Sequence, residues 1–363
     1  MKTDSNNRIT AFIMRLFLMI FKTDPFLGDA LPMNGSVFVF VGHNFIIKDG
    51  GCYMCTALTY KTKQHYFGRN LDLERGYGER VVITPRNYPF TFRYEGRCDS
   101  HFAMIGMAAV VDNYPLYFEA TNEKGLSIAG LNFPGNAYYP PYVEGKINIA
   151  PFELIPYLLS LCENVDNVIK KLNNTNVANC NFSEKLPVSP LHWLISDSEK
   201  SVTLECTKAG IKIHENIFGV LTNNPTFDYH VININNFMHL HSGAAENKVS
   251  KEIPMENYSL GMGAIGLPGD FSSASRFIKT VFVKENSVCD EEEKESVNQF
   301  FHILMSVAMP KGCVMLPNGE FEYTRYSSCC NVDTGVYYYL TYEDSAIQEI
   351  RMNEANLSSK ELI

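Results

Sequence analysis

What the chain lacks narrows its class. It has no run of about 18 uncharged apolar residues, the length a membrane-crossing helix needs, so no stable membrane span is expected. It has no basic excess: 31 Lys and Arg stand against 40 Asp and Glu, a formal net charge of −9. Nucleic-acid binders show the opposite balance or a basic stripe, so no nucleic-acid partner is expected. Glycine (24) and proline (17) are too sparse in 363 residues for a collagen-like or Pro-rich chain. No internal repeat, low-complexity segment or long linker is visible. The densest charged patch, the mixed stretch Asp290–Glu295, reads as a solvated loop or helix start. What is present is ordinary globular material, 45% hydrophobic and 20% charged, with enough apolar mass for a core.

Ten cysteines are spread through the chain, far below the density of a disulfide scaffold. Several lie in apolar runs, such as Cys162 and Cys206, and read as buried reduced thiols. That pattern suits a reducing compartment, so a cytoplasmic protein is expected. Cys52 and Cys55 form a C-x-x-C pair, but no second pair completes a zinc site and no helix start follows to make it thioredoxin-like. His239 and His241 lack a neighbouring carboxylate or Cys and read as surface strand or loop. No metal is expected.

The first 54 residues look foreign to the rest. The apolar stretch of residues 11–21, broken by Arg15, has about the length of a signal-peptide core, yet no A-x-A cleavage pattern follows. Secretion through this segment stays open. A second reading is that it is upstream sequence. Asp49-Gly50-Gly51 can be encoded with an internal GGAGG, a ribosome-binding sequence, and Cys52 and Tyr53 supply the usual spacer before Met54. Met54 is then the initiator and Cys55 the first residue after its removal. A Gly50 codon other than GGA would remove that support. The expectation is an extension over 1–54 and a single domain over 55–363.

From residue 55 onward, short strand-like runs alternate with turn signals. Strands are expected at Cys55–Tyr60, His65–Gly68, Val81–Thr84, Ala103–Gly106 and Leu126–Phe133, then as a meander at Trp193–Ser196, Val202–Cys206 and Ile211–Ile213, and last at Gly335–Tyr342. Helical periodicity marks Phe152–Leu161, with Pro156 expected to kink it, Val165–Leu172, and Glu295–Met309, stopped by Pro310. Strands and helices come in blocks, which predicts an α+β fold of antiparallel sheets with helices layered outside.

Six blocks occur in a specific order: 54–60 MCTALTY, 67–72 FGRNLD, 122–126 NEKGL, 129–134 AGLNFP, 219–228 GVLTNNPTFD and 266–277 GLPGDFSSASRF. Together they resemble the choloylglycine hydrolases, the bile salt hydrolases and penicillin V acylases of the N-terminal-nucleophile hydrolase superfamily. The resemblance runs from Met54 to about residue 355 and leaves out residues 1–53. It implies a four-layer αββα sandwich of two antiparallel sheets.

A free thiol near pKa 8.5 is only a few per cent thiolate at neutral pH and needs a base. An α-amino group titrates near 7.7–8.0, which suits general-base work around neutrality. If Cys55 is N-terminal, its own amine can take the thiol proton. If residues 1–54 stay attached, that nitrogen is a peptide amide and cannot. The predicted mechanism therefore requires a free terminus at Cys55, by initiator Met removal or autoproteolysis. Without the resemblance, Cys55 reads first as an ordinary buried strand thiol.

The resemblance implies further roles. Asp72 accepts a hydrogen bond from the Cys55 amine, Arg69 stabilises the thiolate and orients substrate, and Arg276 lowers the Cys55 pKa and anchors the Asp72 side. Asn223 gives its side-chain NH₂ and Asn132 its backbone N–H to the oxyanion, with Asn224 a lesser candidate. On residue type alone, Arg69 and Asp72 are a surface ion pair, the asparagines turn residues and Arg276 a helix-start surface residue. By block position Leu71, Val111 and Phe118 line an apolar substrate trough, or else pack in the core. No organic cofactor is implied, and the family implies a homo-oligomer, a tetramer.

Asn at position 132 resembles the bile salt hydrolases, since penicillin V acylases often carry Tyr there. Glycine- or taurine-conjugated bile acids are then the substrates. The alternatives are penicillin V or another N-acyl amide, an inactive binding protein on the same fold, and a papain-like enzyme with His192 as base. His192 lies in an apolar strand and is expected to be structural.

Overall fold

The computed structural model describes residues 54–363, so the expectations for residues 1–53 and for Cys52 lie outside the described residues. In chain order the strands are β1 (Cys55–Lys61), β2 (His65–Leu73), β3 (Arg80–Thr84), β4 (Phe90–Phe92), β5 (Gly96–Cys98), β6 (Met104–Val111), β7 (Tyr114–Asn122), β8 (Ser127–Asn132), β9 (Ile147–Ile149), β10 (Thr175–Val177), β11 (Leu191–Ser196), β12 (Ser201–Thr207), β13 (Gly210–Glu215), β14 (Val220–Leu221), β15 (Val314–Met315), β16 (Phe321–Asn331), β17 (Val336–Thr341) and β18 (Gln348–Arg351). The α-helices are α1 (Leu154–Leu161), α2 (Val165–Leu172), α3 (Phe227–Asn233), α4 (Ser273–Glu285) and α5 (Glu293–Met305).

Two seven-stranded antiparallel sheets carry the fold. The first runs β14-β1-β2-β16-β17-β18, with β15 pairing β16, and the second runs β13-β12-β11-β8-β7-β6-β3. Sheet two shows the two-residue alternation of a sheet covered on both sides. Ala129, Leu131 and Leu194 join the core shared with sheet one, whereas Ile128, Trp193 and Ile195 face the core under α1 and α2. Helices α4 and α5 cover the far side of sheet one, through Phe277, Ile278, Phe300 and Leu304 among others. The order of layers is helix, sheet, sheet, helix, which is the αββα sandwich expected.

Most predicted elements stand, and the differences have physical causes. Strand β2 does not stop at Gly68 but continues to Leu73, with all nine residues buried. Arg69, Asn70 and Asp72 break the apolar pattern yet remain in the strand, because partners on sheet two, α4, α5 and β16 receive them. Gly68 fits this crowding: a Cβ there would lie 1.9 Å from the Ser328 carbonyl oxygen, so only glycine lets β2 meet β16. Pro156 does not kink α1; it is the third helical residue, where an N–H has no intrahelical acceptor to lose. Helix α5 begins at Glu293 and ends at Met305, short of Met309. Val307 and Met309 are buried, but as core-facing loop residues after the helix. Periodicity did not reveal β7, β14, β16, α3 or α4. Asp112 and Asn113, at φ 50° and 60°, form the two-residue left-handed turn that joins β6 to β7.

Candidate active site

Cys55 opens β1, directly opposite Leu71 of β2. Opposed residues of an antiparallel pair share a face, so Cys55, Leu71 and Arg69 all point toward sheet two. Arg69 crosses the gap: its Nη1 donates to the carbonyls of Gly130 (2.6 Å) and Phe118 (3.0 Å). Its Nη2 is buried and has no hydrogen-bond partner among the described residues. Behind it Glu119 lies 3.9 Å from Nε and accepts hydroxyl protons from Tyr326 (2.6 Å), Ser328 (3.0 Å) and Tyr337. The guanidinium is thus fixed by acceptors on three sides.

Asp72 lies on the opposite face of β2, because three residues is an odd step along a strand. The surface ion pair with Arg69 therefore does not form: both side chains are buried, on different faces. Asp72 Oδ1 accepts from Thr324 Oγ1 at 2.6 Å, while Oδ2 is buried with no partner among the described residues. Burial pushes the carboxyl up to about 6, against the pull of Arg276, Thr324 and Arg69. The Asp72 backbone N–H donates to the carbonyl of Met54 at 3.2 Å. The Met54 nitrogen donates in turn to Glu322, a fully buried carboxyl that burial pushes up to about 8.

Arg276 is in the first turn of α4 and only 1% exposed, not a surface residue. Its Nη1 donates to the Cys55 carbonyl and to Thr56 Oγ1 (2.6 Å), and its Nη2 to Asn223 Oδ1 (2.7 Å). The Cys55 nitrogen, a peptide amide here, donates to that same Asn223 oxygen at 2.8 Å and not to Asp72. Asn223 Nδ2 donates to the Asn132 carbonyl at 2.8 Å. Asn223 therefore ties three elements together: the head of β1, the end of β8 and the start of α4. Asn224 turns away and donates to the Pro134 carbonyl at 2.8 Å.

Burial pushes the Cys55 thiol up, with Arg69 pulling it down and Asp72 adding to the rise. Arg69 is thus the guanidinium felt by the sulfur, whereas Arg276 acts on Asp72 and Glu322. His192 bonds the Thr222 carbonyl through Nε2 and faces Glu205, so it does not serve Cys55 as a base. Leu71 is part of the inter-sheet core beside Cys55, while Phe118 packs partly buried against that core. Val111 is half-buried at the β6 end, on the same edge of sheet two as Asn132. Residue type did not single out Glu119, Glu322 or Thr324. A charged residue inside an otherwise apolar strand, as in Leu116-Tyr-Phe-Glu119-Ala, was the available signal.

Among the described residues no cluster of three His, Cys, Asp or Glu could hold a metal ion, and no helix is long and apolar enough to cross a membrane.

A cysteine heading a strand of one of two stacked antiparallel sheets, with its nitrogen held by a side-chain amide, is the arrangement of an N-terminal-nucleophile hydrolase. The chain belongs to the choloylglycine hydrolase family of linear amide C–N hydrolases, whose sequence model matches residues 55–363. It is 51% identical over 310 residues to the bile salt hydrolase/transferase of Lactiplantibacillus plantarum, covering 85% of this chain and 96% of that protein. A variant of conjugated bile acid hydrolase from Clostridium perfringens superposes with a TM-score of 0.79 at 37% identity, over 85% of this chain and 96% of that one. Penicillin V acylase from Agrobacterium tumefaciens shares the fold, with a TM-score of 0.66 at 19% identity over 84% and 89% of the two chains.

Proposed function

We propose that the chain hydrolyses the amide bond of glycine- or taurine-conjugated bile acids, with Cys55 as an N-terminal nucleophile. The observation that carries this is the network around one residue: Cys55 presents its sulfur toward Arg69 and its nitrogen to Asn223. The likeness to proteins named bile salt hydrolase and conjugated bile acid hydrolase supplies the substrate class.

Once Met54 is removed, the Cys55 nitrogen becomes an amine with Asn223 Oδ1 already at 2.8 Å and Asp72 Oδ2, which has no partner among the described residues, buried nearby. These two acceptors orient the amine so that its lone pair takes the thiol proton. The thiolate attacks the amide carbonyl beside Arg69, whose Nη2, without a partner among the described residues, supports the reading that it meets substrate or thiolate. Asn223 Nδ2 and the Asn132 N–H receive the oxyanion. The amine protonates the leaving glycine or taurine, and a thioester with the bile acid remains. Water activated by the same amine releases the acid. Leu71, Phe118 and Val111 border the acyl side.

On this account residues 55–363 are the catalytic domain and residues 1–54 are absent from the working enzyme. A cytoplasmic location is part of the proposal, supported by nine described cysteines that are all unpaired. So is a homotetramer, for which the exposed apolar side chains of Met238, Val249, Tyr258 and Leu260 offer surface. The purified protein is expected to cleave glycocholate or taurocholate with kcat/KM at least about tenfold above penicillin V, the scale on which an apolar pocket discriminates. Preference for penicillin V, or cleavage of none of the three, would reverse the substrate assignment.

A further inference from the structure

Asn223 sits in a segment, Thr222–Asn224, that has left the ladder of β14. Its main-chain carbonyls therefore need partners from elsewhere. Two buried histidines supply them. His192, on β11, donates from Nε2 to the Thr222 carbonyl at 2.9 Å. His230, on α3, donates from Nε2 to the Asn223 carbonyl at 3.0 Å. Both rings are wholly buried and are stacked: His192 on Phe133 at 4.2 Å, His230 on Phe277 at 4.8 Å.

We propose that His192 and His230 are positioning residues for the amide hydrolysis, which fix the Asn223 turn so that its side chain meets Cys55, Arg276 and Asn132 at once. The inference rests on the role proposed for Asn223. A carbonyl oxygen can only accept, so each Nε2 carries a hydrogen. His192 Nδ1 faces Glu205 Oε1 at 3.5 Å, and that carboxylate also accepts the Phe227 N–H at 2.8 Å at the start of α3. Burial pushes Glu205 up, but the His192 and His214 rings beside it outweigh that and bring the group down to about 2. It is therefore a carboxylate, held between the Nδ1 edge of the His192 ring and the N–H that opens α3. On its other side Glu205 meets His214 at 3.3 Å, which in turn meets Asp228 at 3.2 Å. One carboxylate thus anchors both the ring that holds Thr222 and the helix that carries His230.

A displacement of about 1 Å in a positioned group can cost about 10²-fold in rate. His192→Phe keeps the ring and its stack on Phe133 but removes the donor to the Thr222 carbonyl. It is expected to lower kcat about 10²-fold with KM changed less than about threefold. His192→Gln, which can still donate to the Thr222 carbonyl, is expected to stay within about tenfold of the parent. In an Asn223→Ala background His192→Phe is expected to add less than about threefold, because its effect passes through a side chain no longer there. The pH profile of Cys55 alkylation by iodoacetamide is expected to be unchanged in His192→Phe, as it would not be if His192 were the base. Should His192→Phe fail to fold for want of a Glu205 partner, His230→Phe carries the same test, since it strips only the Asn223 carbonyl. Parental kcat in the folded variant, or losses that multiply in the double variant, would overturn the inference while an active parent and an impaired Asn223→Ala leave the role of Asn223 standing. An inactive parent would instead remove the reading beneath it.

Discussion

Cys55→Ala is expected to reduce amide turnover on the order of 10⁶-fold, to the background rate, while leaving the fold intact. The side chain is only 3% exposed and small, so its loss as a packing element is minor. Its loss as a nucleophile is complete, since no other cysteine in the two β1–β2 faces replaces it: Cys329 and Cys330 lie on β16, two strands away from β1. Cys55→Ser should retain a trace, because a hydroxyl can still form an acyl intermediate but ionises far less readily. The check is steady-state release of glycine or taurine, alongside a circular dichroism spectrum that matches the parent. Turnover by the alanine variant within tenfold of the parent would remove Cys55 from the chemistry.

Asn223→Ala is expected to lower kcat by about 10²–10³. The oxyanion loses a donor, and the Cys55 nitrogen and Arg276 Nη2 lose their shared acceptor. Each buried donor that loses this acceptor also costs stability, about 1–3 kcal/mol, so denaturant unfolding should shift as well. Asn223→Asp separates these effects. It keeps an oxygen for Cys55 and Arg276 but sets a second oxygen against the Asn132 carbonyl in place of a donor, so stability should recover only in part and kcat should not. A variant with parental kcat and reduced stability would make Asn223 a scaffold residue only.

Much of this site was legible in residue order, and the rest was hidden for a common reason. Strand β1 and the meander β11–β13 read directly, because apolar runs bounded by turn residues have few other uses. Strand β2 read only as far as Gly68 and β16 not at all, because they carry the polar residues that the site and its supports require: Arg69, Asn70 and Asp72 on one, Glu322, Thr324 and Ser327 on the other. Polar residues inside strands look like loop until their partners are known. The order of blocks brought Cys55, Arg69, Asp72, Asn132, Asn223 and Arg276 onto one list, and the fold brings them to one end of the sandwich. The direction of each hydrogen bond was not legible. Asn223 accepts from Cys55 and Arg276 with its oxygen, a role no block order shows. The pairing of Arg69 with Glu119 depends on β7, which periodicity did not reveal.

With Met54 attached, the Cys55 nitrogen is an amide and its buried thiol is pushed up. Intact mass and N-terminal sequencing of the protein fraction that turns over taurocholate, paired with titration of its reactive thiol by iodoacetamide, test this most directly. The account predicts that every active molecule begins at Cys55 and that chains still carrying Met54 contribute no turnover. Full specific activity in molecules whose Cys55 nitrogen remains in a peptide bond would contradict it.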